Sequence, residues 1–479
     1  MIAALCILLA ASQPIPGEIS ITSTSPEAVK LYLAGRDKAL NFANEEAAEL
    51  FRKALALDEK FALALAMLGK VTPGEAGLAQ VQRAAGLAAG LPETERLSID
   101  VILAERKGED ERARNLKRQI ADLAPQDWLA QYQLGVQDSY DHKSQATILH
   151  LNKAIKLNPK AAEAYNYLGY TLAQQGQTEE GIAAVRKFVD LKPNESNSWD
   201  SFGEVLLLAG KYDEAEAAFR KATVISPSDW MSWIGVAYAR FFRGDFAGGR
   251  QAANGSKKWI TRAPDKLAVD LVLAWSQLAE GNADEALREV DAIEKDAQAR
   301  KADFQLAWAA VERAEMLAEL GRNEEAAKQV ALAATRGQKG RMTGAESNRV
   351  RRSTLVLMAR LAAARGDHAA GRKAVGELEA ELRAAPSNAD LRGDVHYARG
   401  MVELGQGDAA AAIADLARCP ETAYLCRLEL SVAQERAGDK GRAEETRRQL
   451  LHSNVRDNVH HGDDPTFLYL AAREKRAAK

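Results

Sequence analysis

One short cluster near the C-terminus carries the residue types that bind metal ions. Residues 460–464 read HHGDD, which places two imidazoles beside two carboxylates (His460, His461, Asp463 and Asp464). Imidazole nitrogens and carboxylate oxygens are both ligands for zinc. Adjacent histidines often point apart, however, and an aspartate directly before Pro465 is typical of a helix N-cap. The pattern therefore favours a polar loop that caps a helix, and we predict neither a metal nor a cofactor.

Sequence motifs for catalysis are absent from the chain. It contains no Gly-x4-Gly-Lys-Ser/Thr phosphate loop, no His-Glu-x-x-His, no Gly-x-Ser-x-Gly and no Cys-x-x-Cys. The acidic pairs Glu179-Glu180 and Glu324-Glu325 could serve as acid and base. Both pairs fall at predicted helix N-termini, where negative charge stabilises the helix. We therefore predict that the protein is not an enzyme, and a site across a helical groove stays a remote alternative.

The three cysteines, Cys6, Cys419 and Cys426, are too few to form a disulfide framework. Cys419 and Cys426 would lie ~10 Å apart along the axis of a single helix, which is beyond disulfide reach. Pro420 is predicted to begin a helix, which leaves Cys419 in a turn and a disulfide open. The alternative is that both are small apolar packing residues.

The N-terminus resembles a secretory signal. Residues 1–11 are apolar, the first charged side chain is Glu18, and Ala10 and Ser12 suit cleavage before Gln13. No Lys or Arg precedes the apolar run, which is also too short to span a bilayer. We predict a signal peptide at 1–12 and a linker at 13–24, in a periplasmic or secreted protein. The alternatives are a hydrophobic segment that packs on the first helices and a cytoplasmic protein.

Composition indicates an all-helical chain. Of 479 residues, 47% are hydrophobic and 27% are charged, and Ala, Leu, Glu, Arg and Lys dominate. The formal net charge is -3, without the basic excess that nucleic-acid binding requires. We predict no nucleic-acid partner and no stable membrane span.

Three series of residues recur every 34 positions. Glycines recur in the middle and at the end of one predicted helix, and prolines follow the next (Gly135, Gly169, Gly203; Gly176, Gly210, Gly244; Pro159, Pro193, Pro227). In each unit an apolar stripe at helical spacing precedes the end glycine, and a second stripe follows it. A left-handed C-cap suits that glycine, and proline cannot continue a helix. Turn glycines lie 37 and 40 residues apart in the second half, which predicts longer loops or longer helices there.

The repeat resembles the tetratricopeptide repeat. The matching residues of one unit are Trp199, Phe202, Gly203, Ala215, Phe219, Ala222 and Pro227. The resemblance implies an all-α, right-handed α-solenoid of roughly twelve antiparallel helix pairs, in which glycine and alanine let helices approach closely. Residues 25–69 also resemble repeat segments attached to bacterial serine/threonine kinases and winged-helix regulators.

Breaks in the pattern divide the chain. We expect the main repeat array at 25–335, a basic connecting loop at 336–352 and divergent repeats at 353–463. The last segment, 464–479, is expected to be a capping helix that hides the final helical face.

The resemblance also implies a peptide-binding groove lined by the first helix of each pair. In the clearest repeats of this chain, the family's groove-facing positions correspond to Asn166, Tyr170, Asp200, Glu204, Ile234, Tyr238 and Phe241. An alternative is that some of these residues, Phe241 in particular, pack against the next pair. We predict a non-enzymatic scaffold for a protein or peptide partner. The alternative is a cytoplasmic adaptor that acts with a separately encoded kinase or transcription regulator.

Overall fold

The structure is a computed structural model that describes residues 19–386, 388–420, 423–452, 469–470 and 472–473. The described residues form α-helices joined by short turns, with one 3-10 turn at Lys257–Trp259 and no strand. The chain divides into two compact units, Met1–Leu172 (unit 1) and Ala173–Lys479 (unit 2). The predicted signal peptide and the HHGDD cluster lie outside the described residues.

Unit 1 contains eight complete helices and most of a ninth, which crosses into unit 2. They are α1 (Pro26–Leu40), α2 (Asn44–Leu57), α3 (Ala62–Val71), α4 (Gly74–Leu87), α5 (Glu93–Lys107), α6 (Asp110–Leu123), α7 (Trp128–Tyr140), α8 (Ser144–Leu157) and α9 (Ala162–Gln174).

The described part of unit 2 contains the other fifteen helices whose bounds are defined. They are α10 (Thr178–Leu191), α11 (Ser196–Leu208), α12 (Tyr212–Ile225), α13 (Trp230–Arg243), α14 (Phe246–Ser256), α15 (Ala263–Glu280), α16 (Ala283–Arg300), α17 (Asp303–Glu319), α18 (Asn323–Lys339), α19 (Gly344–Ala364), α20 (His368–Ala384), α21 (Ala389–Gln406), α22 (Ala409–Leu416), α23 (Tyr424–Arg436) and α24 (Lys440–His452).

Within each unit, consecutive helices pack in pairs. Each odd-numbered helix, which we call a first helix, is followed by an even-numbered second helix. In unit 1 α1 packs on α2 and α7 on α8, and in unit 2 α11 packs on α12 and α17 on α18. The second helix then packs on the next first helix, as α12 does on α13. The expected architecture of about twelve helix pairs is confirmed across the described residues.

Glycine allows close contact within a pair. A Cβ atom added to Gly203 on α11 would lie 2.8 Å from Cδ1 of Phe219 on α12, and one added to Gly135 would lie 2.7 Å from Leu151. Contacts this short would force the helices apart, since protein interiors are close-packed. Phe219 and Leu151 are fully buried. The mid-helix glycines therefore act as expected, by admitting a large side chain from the second helix.

The turn glycines and prolines also lie where the sequence predicted. Gly210 and Gly244 have φ values of +74° and +91°, in the left-handed region that favours glycine. The helix before Pro227 ends at Ile225. In the second half the units lengthen through their helices: α15 and α16 have 18 residues each, against 13 in α11.

The predicted basic loop at 336–352 is wrong for most of its length. Helix α18 continues to Lys339 and α19 begins at Gly344, so only residues 340–343 connect them. Thr343 and Glu346 form a capping box that starts α19. The basic residues made the segment resemble a loop because nearly all of them lie on partly or fully exposed helical faces, while Val350 on the opposite side is buried. None of the described helices combines the length and hydropathy that a bilayer span requires.

We expect Gly203→Ala to destabilise the protein by about 1–3 kcal/mol, because the added methyl group overpacks the contact with Phe219. Gly376→Ala is the matched control, since Gly376 is exposed on α20 with no atom near its added Cβ. That change should stabilise the helix by about 0.5–1 kcal/mol. Thermal unfolding midpoints should therefore move in opposite directions, and a shared direction would contradict the packing role of Gly203.

Candidate functional site

The segment 19–24, which we call the N-terminal strap, lies on unit 1 through a buried carboxylate. Glu95 stands in the first turn of α5 and is fully buried. It accepts hydrogen bonds from Ser20 Oγ at 2.9 Å, Thr22 N at 3.1 Å and Thr22 Oγ1 at 2.6 Å. Hydrogen bonds to a charged acceptor are stronger than neutral ones. Glu95 therefore fixes the middle of the strap.

Two further carboxylates fix the ends of the strap. Asp127, the N-cap of α7, accepts from Ile19 N at 2.9 Å. Asp58, which follows α2, accepts from Ser23 Oγ and Thr24 N at 2.7 Å each. Burial raises the pKa of the Asp58 carboxyl, but these hydrogen bonds outweigh it and the pKa lies below its usual range. Residues 19–24 are therefore a bound segment, and the predicted linker is wrong for this half of its length.

The strap has a sequence signal that the linker prediction missed. Residues 19–24 read ISITST, in which the first four alternate apolar and hydroxyl side chains. A period of two is typical of an extended segment with one buried side. Ile19 packs with Val101 and Ile120, and Ile21 packs against the cluster around Phe51. The two isoleucines are half-buried against the core, while the hydroxyl groups and backbone amides contact carboxylates.

The predicted groove residues of unit 1 are buried. Asn166 and Tyr170, on α9, are 7% and 4% exposed. At the start of the same helix, Glu163 Oε1 accepts a hydrogen bond from Asn41 Nδ2 at the end of α1, at 2.8 Å. The first helices α1 and α9 thus contact each other through their side chains. The expectation that Asn166 and Tyr170 lie on an open surface is corrected, and their part in partner binding stays a prediction.

The predicted groove residues of unit 2 are also largely interior. Glu204, Ile234, Tyr238 and Phe241 are between 1% and 5% exposed.

The contacts of Phe241 explain why its side chain is buried. Its ring lies 5.9 Å from that of Phe246 on the following second helix, and it occupies the space that a Cβ on Gly249 would fill. Asp200 is half-buried and accepts a hydrogen bond from Ser232 Oγ at 2.7 Å. Phe241 thus packs on α14, the second helix of its own pair, whereas Asp200 contacts α13 of the next pair. The alternative that Phe241 packs against the next pair stays a prediction.

Farther along unit 2, polar and aromatic side chains meet across consecutive first helices. Trp275 on α15 donates from Nε1 to Glu312 Oε2 on α17, at 2.8 Å. Glu319, at the end of α17, forms an ion pair with Arg360 on α19. Trp275 is fully buried, and the Glu319 side chain is 1% exposed. We call the surface formed by Trp275, Glu312, Glu319 and Arg360 the unit 2 face.

A segment from the C-terminus occupies the unit 2 face. Residues 469–470 and 472–473 are helical, and Tyr469 and Leu470 are 7% and 1% exposed. The Tyr469 ring lies 6.1 Å from the Trp275 ring, and Arg473 Nη1 donates to Glu319 Oε2 at 2.6 Å. The sequence predicted that 464–479 would cap the last helix pair. Its described residues contact α15 and α17, through Tyr469 on Trp275 and Arg473 on Glu319. Whether the segment also caps the last pair stays a prediction.

The charges of the unit 2 face depend on one another. Burial alone would lower the pKa of Arg360, but Tyr397 and Glu319 raise it above its usual value. Burial raises the pKa of Glu429 on α23, against the effects of Arg360 and Arg473.

The buried Tyr397 hydroxyl has no hydrogen-bond partner among the described residues. Beside Arg360, Met401 and Glu429 lies a cavity of about 260 Å³. Arg360 therefore belongs both to the unit 2 face and to the lining of this cavity.

The structure pairs Cys419 with Cys426, with their Cα atoms 6.2 Å apart. Cys419 lies in the turn after α22, as expected, but the next helix begins at Tyr424 and not at Pro420. Whether the bond forms in the cell stays a prediction.

A second polar cluster, on α21 and α22, was not predicted from the sequence. His396 Nδ1 lies 2.7 Å from Asp415 Oδ1, and Arg399 Nη1 lies 3.1 Å from the same oxygen. Burial and the neighbouring Asp415 raise the pKa of Glu403 to about 7. No group of three or more His, Cys, Asp or Glu side chains in the described part of the chain could hold a metal ion.

Comparison with known protein families identifies two of the repeat segments. Residues 150–183 and 202–266 match models of the tetratricopeptide repeat. These segments are tetratricopeptide repeats, which confirms the resemblance of the 34-residue unit. The resemblance of residues 25–69 to segments attached to kinases and winged-helix regulators stays a prediction. No curated protein sequence matches the chain.

Several solved structures are similar to parts of the chain. The MamA protein is 19% identical over 35% of this chain and 91% of its own, with a TM-score of 0.31. Cut9–Hcn1 of the APC/C is 17% identical over 92% and 79%, with a TM-score of 0.40. PilW, a type IV pilus biogenesis factor, is 17% identical over 43% and 92%, with a TM-score of 0.37. At these values the likenesses carry no argument about partners.

We expect Glu95→Ala to lower the free energy of unfolding by about 1–3 kcal/mol, because the strap loses three hydrogen bonds to a buried carboxylate. Glu93→Ala is the control, since Glu93 is exposed in the same first turn of α5. Its removal should cost less than about 1 kcal/mol, through the helix dipole alone. Equal unfolding midpoints for the two variants would show that the strap contributes nothing to stability.

Proposed function

We propose that the protein is a non-enzymatic scaffold that binds a partner protein on the unit 2 face. The single observation that carries the proposal is that this face already holds a peptide segment, through Tyr469 on Trp275 and Arg473 on Glu319. Tetratricopeptide repeats support a scaffold role in general. A surface built from consecutive first helices is the kind of surface on which helical repeats bind extended or helical peptides.

The chemistry of the face suits recognition of a peptide. Buried aromatic and arginine side chains carry most of the binding energy at protein interfaces. Trp275 offers a ring against which an aromatic residue packs, and Glu319 offers an acceptor for an arginine. The cavity beside Arg360 and Met401 offers a further pocket for an anchoring side chain.

We further propose that the protein acts in an oxidising compartment, as a periplasmic or secreted protein. The pairing of Cys419 with Cys426 supports this proposal, since disulfides persist outside the reducing cytosol. The apolar run at 1–11 supports it independently.

We expect the protein isolated from its native host to begin at Gln13 and to resist thiol alkylation until a reductant is added. Intact-mass spectrometry with and without reductant measures both properties. A chain that begins at Met1, with Cys419 and Cys426 alkylated without reductant, would contradict export. That result would favour the cytoplasmic adaptor.

A photo-crosslinking residue at Met401 should capture the partner in cells, because Met401 lines the cavity beside Arg360. The control is the same residue at Met358, which is exposed on α19 and does not line that cavity. We expect one protein to be crosslinked from position 401 and not from 358, with unchanged unfolding midpoints. No crosslinked protein, or equal crosslinking from both positions, would contradict binding at the unit 2 face.

A further inference from the structure

The C-terminal segment meets the unit 2 face through two side chains one helical turn apart. Tyr469 and Arg473 are four positions apart, and the described residues 469–470 and 472–473 are helical, so both side chains lie on the same side. Tyr469 lies on Trp275 of α15, and Arg473 reaches Glu319 at the end of α17. Leu470 beside them is 1% exposed. The segment therefore presents an aromatic residue, an apolar residue and a cation on one surface.

The face needs a cation at the position of Arg473. The two oxygens of Glu319 have separate partners: Arg360 binds Oε1 and Arg473 binds Oε2. The Glu319 side chain is 1% exposed with Arg473 in place, so a replacement segment that covers it without a donor would leave Oε2 as a buried acceptor without a partner. Such an acceptor is costly unless a hydrogen-bond donor takes its place. Any segment that replaces residues 469–473 must therefore bring a cation.

The face also needs an aromatic or large apolar group at the position of Tyr469. Trp275 is fully buried with Tyr469 against it, and its Nε1 is already used by Glu312. Removal of Tyr469 would expose apolar ring surface to water, which is unfavourable. An aromatic residue from another segment would restore the contact.

The ion pair lies where another chain can reach it. The Arg473 side chain is 34% exposed although its acceptor is buried, so the guanidinium stands at the edge of the face. Exposed partners of an ion pair contribute less than buried ones, since water competes for them. The cavity beside Glu429 shares Arg360 with the unit 2 face.

We propose that the C-terminal segment is a displaceable internal ligand of the unit 2 face. The partner docks in its place through a helical segment that carries an aromatic residue and, four positions later, an arginine. This inference rests on the proposed function and specifies the partner's chemistry. The chain's own segment competes with the partner, so the free protein holds the face closed.

Fluorescence anisotropy with a labelled peptide of residues 464–479 tests the proposal on the full chain. The peptide stands in for the partner's helix, and the double change Tyr469→Ala with Arg473→Glu empties the face. We expect the peptide to bind this variant at least tenfold more tightly than it binds the unchanged protein. Arg442→Glu, which alters an exposed arginine of α24, is the control and should behave as the unchanged protein does.

The charge requirement is tested with a second peptide that carries Arg473→Glu. It should bind the emptied protein at least tenfold more weakly than the natural peptide does. Equal binding of the two peptides, or equal binding to the emptied and unchanged proteins, would overturn the proposal. If the double variant does not fold, as judged by circular dichroism, Arg473→Ala alone provides the same comparison without an added acid beside Glu319.

Light scattering shows whether the C-terminal segment binds its own chain or a second copy of the chain. We expect the unchanged protein to be monomeric. A dimer that dissociates on Arg473→Glu would show that the segment binds a second copy, and would overturn the internal arrangement.

The scaffold role and the internal ligand can be rejected independently of each other. If the peptide binds as expected while Met401 captures no partner, the internal ligand stands and the scaffold role does not. If Met401 captures a partner while the peptide fails to bind, the scaffold role stands and the aromatic–arginine motif is rejected.

Discussion

The contact between a mid-helix glycine and a large side chain of the next helix underlies the architecture. Gly203 admits Phe219 and Gly135 admits Leu151, at distances that no residue with a Cβ would allow. Close approach within a pair buries the second helix's apolar stripe and sets the spacing at which the next pair stacks. Because the pairs stack closely, the side chains of neighbouring first helices contact one another. The surfaces that could bind a partner are therefore formed by this packing and not by separate loops.

Close stacking also buries carboxylates, and a buried carboxylate is costly unless hydrogen-bond donors contact it. In unit 1 the N-terminal strap donates to Glu95, and in unit 2 Arg473 donates to Glu319. Each unit thus holds a terminal segment of its own chain through an acidic residue. The strap uses backbone amides and hydroxyl groups, whereas the C-terminal segment uses a ring and a guanidinium. The contacts described for the second arrangement are made by side chains, and a partner with the same side chains can reproduce them.

The sequence predicted the elements whose signals are local or periodic. The 34-residue period, Gly210, Gly244 and Pro227 identified the helix pairs, because helix ends depend on backbone conformation near each residue. The groove was not predictable in the same way. Whether Tyr238 is open or buried depends on how closely neighbouring helices pack, which no single repeat encodes. The docking of Arg473 on Glu319 joins residues 154 positions apart, and no periodic signal connects them.

Hydrogen–deuterium exchange of the intact protein tests most directly whether the chain's own ends fill its binding surfaces. The account predicts slow amide exchange at residues 19–24 and 469–473, because both segments are held by buried carboxylates. Glu95→Ala should release only the first segment, and Arg473→Glu only the second. Exchange at 469–473 that is as fast in the unchanged protein as in Arg473→Glu would contradict the account.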